Sequence, residues 1–181
     1  YKYIVTINKN GDISSVFDKT LDKEILSKPI RFELNKYIGD KEYPAWEHTY
    51  KEVMKYPWEF ADKGRVTLVE NGPARVTIKV EQTCNKSTFT YYVSLAAGCQ
   101  WVSVYNEIEW REFKRILHNG FCFNVRNDKA IFDLGLGAIA RGKANKKLYS
   151  VPAQKWVDLT DASQEMGVSV FSDSKYGWIM K

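Results

Sequence analysis

Residues 71–81 read NGPARVTIKVE, and their pattern decides the fold. From Ala74 onward, Ala74, Val76, Ile78 and Val80 alternate with Arg75, Thr77, Lys79 and Glu81. Successive side chains of a strand point to opposite faces, so a period of two describes a strand with one buried and one wet face. Asn71-Gly72 separates this run from RVTLVE at residues 65–70. Asn-Gly between two such runs is a strong hairpin signal, because both central turn positions need positive φ. Pro73 follows at once, where a missing amide donor is tolerable.

The same pattern spreads outward. FTYYVSLA, residues 89–96, puts Phe89, Tyr91, Val93 and Leu95 on one side. WVSVYNEIEW, residues 101–110, places Val102, Val104, Ile108 and Trp110 together. A second Asn-Gly, Asn10-Gly11, separates YIVTIN from DISSVF. Further strands are expected near residues 30–34, 115–126, 130–138, 152–159 and 167–171. The one helical candidate, HTYKEVMKY at residues 48–56, reads as loop. Half-buried strands with tight turns imply an all-β chain, a large antiparallel β-sandwich forming one domain over residues 1–181. Residues 36–64 form the longest irregular stretch and hold Trp46, His48 and Trp58. Aromatic-rich loops on a rigid sandwich are where binding tends to reside.

Composition excludes several classes. The chain has 181 residues, 44% hydrophobic and 14% aromatic, which is globular rather than disordered. No run of eighteen apolar residues exists to span a membrane. The net charge of +5 is interleaved with acids, and the one dense basic cluster, Lys143 to Lys147, lies in an expected loop. A nucleic-acid surface would gather arginine and aromatics on one face. Cys84, Cys99 and Cys122 are odd in number and far apart, which fits neither a zinc spacing nor a disulfide framework. Buried free thiols point to a reducing, cytoplasmic setting. The chain opens on Tyr1 without a methionine and reads as a piece of something longer, so a signal peptide upstream stays open.

Catalytic motifs are scarce. No Ser/His/Asp order, P-loop, GxGxxG or HExxH is present. Glu107 and Glu109 share a strand face as a glycosidase pair would, but that is the polar face beside Arg111, which reads as a solvated charge ladder. In VPAQKWVDL, residues 151–159, Trp156 stands between Lys155 and Asp158. From the residues alone it is either a sugar platform or a core tryptophan.

Four ordered segments carry a resemblance: INKNGDISSVFDKTLDKEIL, VENGPARVTIKVE, NEIEWRE and VPAQKWVDLTD…GVSVFSDSKYGW. They resemble the β-sandwich region downstream of the catalytic domain in glycoside hydrolase family 38 alpha-mannosidases, closest to the bacterial and vacuolar-type branch. The resemblance implies a supersandwich of galactose mutarotase-like type. It implies a parent enzyme that removes terminal alpha-linked mannose with retention, through carboxyls roughly 5 Å apart. It places one zinc ion, held by two histidines and two aspartates, in an N-terminal α/β barrel absent here. No catalytic or metal residue therefore carries over. The partners implied are that barrel, mannose-containing glycans and, in some members, further copies of the chain. Nothing implies nucleic acid or a membrane.

The resemblance assigns Trp156 to packing, with Lys155 and Asp158 satisfying nearby backbone or each other. What carries over is the rim of the sugar pocket. Arg141 falls where the family commonly has an arginine after an FG-x-[IV]-E-R strand, although Ala140 replaces the usual glutamate. Trp46 and Glu47 fall in the AW[DE] segment, near where the family offers an aromatic to the pocket. The competing readings are an autonomous carbohydrate-binding β-sandwich using Trp46, Trp58 and Trp156, and a structural surface module without a ligand.

Overall fold

A computed structural model of the chain describes residues 1–37, 49–55, 57 and 59–181. It is all-β, with every strand pairing antiparallel. The chain divides into two compact units, one of residues 1–36 and 57–124, the other of residues 37–56 and 125–181.

The first unit holds β1 (Tyr3–Ile7), β2 (Ile13–Asp18), β3 (Lys23–Glu24), β4 (Leu26–Lys36), β5 (Glu59–Phe60), β6 (Asp62–Asn71), β7 (Arg75–Cys84), β8 (Ser87–Ala96), β9 (Ser103–Glu109) and β10 (Arg115–Phe123). One sheet runs β1-β2-β4-β10, with β3 beside β2 and β5 beside β4; the other runs β6-β7-β8-β9. Ile13, Val16, Leu26, Phe32 and Leu34 from the first sheet meet Val80, Cys84, Phe89, Tyr91 and Val93 from the second. Phe32 stacks on Phe89 at 5.0 Å between ring centroids and meets Tyr91 edge-on at 5.9 Å. This is the expected sandwich, and Phe89, Tyr91 and Val93 face inward as the alternation predicts.

Both hairpins form, but neither turns on Asn-Gly as an ideal two-residue turn. At the first, Asn8 Oδ1 accepts from the backbone N–H groups of Asn10 and Asp12. Only Gly11, at φ +91°, is left-handed. A local side-chain acceptor thus selects a longer turn with a single positive φ. At the second, Gly72 N donates to Arg75 O, so the loop is Pro73-Ala74. Proline suits a turn's first central position, and it displaces the turn two residues onward. Strand β9 also departs from expectation: as an edge strand it leaves Val104 exposed, and Trp110 just beyond it is exposed too.

The first hairpin is held from outside by Gln82 Nε2, which donates to Asn10 O at 2.7 Å. Gly64 presses on the same turn, where a Cβ would lie 2.5 Å from the Asn10 carbonyl. Backbone atoms cannot yield as a side chain would. Gly64→Ala is therefore expected to cost about 1–3 kcal/mol, read as a lower urea midpoint at unchanged slope.

The second unit holds α1 (Tyr50–Val53), β11 (Lys129–Asp133), β12 (Ala138–Gly142), β13 (Val151–Pro152), β14 (Trp156–Thr160), β15 (Gly167–Phe171) and β16 (Gly177–Trp178). Its main sheet runs β12-β11-β14-β15, and β13 pairs with β16. Ala130, Phe132, Val151 and Ala153 form its core with Val157, Leu159, Trp178 and Met180. The stretch read as loop holds one helical turn, α1, because Glu52 accepts from the Thr49 backbone N–H at 2.9 Å and closes its start. Lys143–Lys147 lies in a loop, with Lys143 paired to Asp128.

The three cysteines are free thiols, but only Cys84 is buried. Burial, with Glu59, Glu112 and Asp62 nearby, pushes its thiol up to about 11, so it stays protonated and inert.

Candidate functional site

VPAQKWVDLT enters the second unit's sheet across a buried carboxylate. Asp133, at the end of β11, accepts from Gly135 N at 2.8 Å and Lys155 N at 3.0 Å. Gln154 N also bonds the Asp133 carbonyl. One aspartate thus ties the turn after β11 to the start of β14. The sequence reading missed it, although Asp-x-Gly in FDLG is a recognisable Asx-turn signal.

Beyond that tie, parity decides what each side chain does. Val157 and Leu159 pack toward Phe132. Trp156 and Asp158 therefore project from the opposite face. This corrects the expected packing role of Trp156, which is half-buried and outside both core clusters. Asp158 bonds neither Lys155 nor backbone; it accepts from the hydroxyls of Thr160 at 2.8 Å and Ser169 at 2.7 Å. Across the ladder, Trp156 is paired with Phe171 and Asp158 with Ser169 and Ile131. These five side chains line a shallow concavity of about 430 Å³. The alternation of Val168 and Val170 against Ser169 and Phe171 marks this face in the sequence.

Arg141 lies on the other face of the same sheet, opposite Ala130 in the register. It is half-buried. Its Nη1 donates to the Pro152 carbonyl at 2.8 Å, and its guanidinium lies 5.5 Å from the Phe132 ring centroid. The arginine thus ties β12 to β13 by the hydrogen bond and covers the β11 ring by cation–π contact. Trp46 and Glu47, the other rim candidates, lie outside the described residues, as do His48 and Trp58. The Glu107–Glu109 pair is exposed on β9; Glu109 pairs with Arg111 and accepts from Thr88, as a surface ladder does. Among the described residues no three His, Cys, Asp or Glu side chains converge to hold a metal. No described helix is long and apolar enough to cross a membrane.

Comparison with known proteins agrees with the fold. Two solved structures from Enterococcus faecalis superpose on nearly the whole chain. A protein in the Glycosyl Hydrolase Family 38 matches with a TM-score of 0.79 and 16% identity, over 98% of this chain and 24% of that one. An alpha-mannosidase from strain V583 matches with a TM-score of 0.76 and 16% identity, over 97% of this chain and 23% of that one. The chain thus spans about a quarter of the length of either. No curated protein sequence matches. The family model for the glycosyl hydrolases family 38 C-terminal domain matches residues 2–180, and the chain belongs to that family.

Proposed function

We propose that this chain is the non-catalytic β-sandwich portion of a retaining, zinc-dependent alpha-mannosidase that removes terminal alpha-linked mannose from glycans. The match of the family 38 C-terminal domain model to residues 2–180 carries the reading. The alpha-mannosidase among the structural neighbours supports mannose as the sugar. The described residues offer no fit for zinc, since no three potential ligands converge. The resemblance to family 38 enzymes assigns the metal and both catalytic carboxyls to a barrel elsewhere in the parent chain. The test is a panel of aryl glycosides given to the full-length protein, with proton NMR of the first sugar released. Cleavage of the alpha-mannoside with alpha-mannose appearing first is expected. Preference for another glycoside, or beta-mannose first, would reject the reading.

Within that reading, Arg141 is proposed to serve the pocket rim through N–H donors that Pro152 leaves over. Five donors in a fixed fork allow one to anchor the arm while others reach a hydroxyl or carboxylate. Arg141→Lys in the full-length enzyme is expected to lower kcat/KM on an alpha-mannoside about tenfold, roughly 1.4 kcal/mol of transition-state stabilisation. The melting temperature should hardly move, because lysine can still donate to the Pro152 carbonyl. Wild-type kinetics with early melting would reduce Arg141 to a tie between β12 and β13.

A further inference from the structure

The concavity on the outer face of the second unit's sheet has no use in the function proposed above. Phe171 is 73% exposed there, and Trp156 is half-buried across the ladder from it. Asp158 lies in the next cross-strand row, paired with Ile131 on one side and Ser169 on the other. We propose that this face is a saccharide platform, on which one pyranose of a mannose-containing glycan rests against Trp156 and Phe171 and donates hydroxyl hydrogen bonds to Asp158. The sugar's identity rests on the mannosidase reading; the platform itself rests on the geometry.

The lining selects a neutral polyol over other occupants. An ionised carboxylate can accept about four hydrogen bonds. Thr160 and Ser169 supply two, which brace the group and leave capacity for outside donors. A packed protein segment without donors there would bury that charge uncompensated, at a cost of several kcal/mol. A nucleic acid or other polyanion would set phosphates against the carboxylate. A sugar brings an apolar C–H face for the rings and several hydroxyl donors at its rim, which matches apolar walls with one polar group. Its binding also requires little reorganisation, since Asp158 is already held by hydroxyls from its own strand and from β15.

The platform is tested on the full-length protein by retention in a native gel containing yeast mannan, beside hydrolysis of 4-nitrophenyl alpha-mannoside. Phe171→Ala and Trp156→Ala are each expected to weaken retention roughly tenfold, equal to about 1.4 kcal/mol. Asp158→Asn, which keeps shape but removes charge, should weaken it in the same direction. Hydrolysis of the aryl mannoside checks that each variant stays folded and active. Because Phe171 is so exposed, its alanine variant should melt with the wild type. Unchanged mannan retention in both ring variants would overturn the proposal. So would a Phe171→Ala protein that melts several degrees early at full retention, since another part of the chain must then cover the face. A wild type inert toward alpha-mannosides, whose mannan retention still falls in the ring variants, would overturn the mannosidase reading and leave the platform standing.

Discussion

Phe89→Ala is expected to cost about 3–5 kcal/mol, a large share of the roughly 5–15 kcal/mol that holds a typical domain folded. Phe89 is fully buried near the start of β8. Its ring stacks on Phe32 across the sandwich, and Phe32 in turn meets Tyr91 edge-on. Removing it deletes the transfer energy of a large ring and leaves a cavity between two sheets. Those sheets cannot collapse inward, because each is fixed by its own ladder. Urea unfolding of the 181-residue protein measures the cost. A loss below about 1.5 kcal/mol, typical of tolerated volume changes, would mean that the two sheets do not meet through this ring.

Asp18→Ala should cost about 2–4 kcal/mol at neutral pH. Asp18 ends β2 almost completely buried, and accepts from Thr20 N at 2.8 Å and Leu21 N at 3.2 Å. Lys2 approaches it at 3.2 Å but keeps part of its surface in water. Alanine orphans two backbone donors, while the lysine can still turn to solvent. Burial pushes the carboxyl up, but the N–H groups of Leu21 and Thr20 and the Lys2 ammonium outweigh it and hold it below its ordinary value. A depressed folded-state value contributes stability that is complete above the unfolded value of about 3.9. It is lost as pH falls through the folded value. The gap between wild type and variant should therefore be widest at pH 7 and narrow steadily below pH 4. A gap that stays constant down to pH 2 would show that the carboxylate is not held in its charged form.

Period two in residues 74–81 and 89–96 made the strands of the first unit's second sheet legible, and with them the inward set of Phe89, Tyr91 and Val93. Turn detail was less legible, since it depends on competition the dipeptide does not display. Asn8 captures two amides at one hairpin, and Pro73 relocates the other. Edge position, which leaves Val104 exposed, follows from strand order rather than composition. Trp156 shows a different failure. The family resemblance argued for packing, whereas the parity of Val157 and Leu159 argued for the outer face, and parity prevailed because Phe132 lies on their side. Arg141 could be located but its partners could not. Pro152 is eleven residues away and becomes a neighbour only when β12 and β13 come together.

As proposed, these 181 residues serve a glycoside hydrolase whose reaction centre lies elsewhere in the parent chain. The measurement that addresses this most directly is hydrolysis of an aryl alpha-mannoside by the full-length protein, beside the same assay on residues 1–181 alone. Turnover by the full-length protein and none by the isolated residues is expected. Turnover by residues 1–181, or a full-length protein inert toward every glycoside tried, would contradict it.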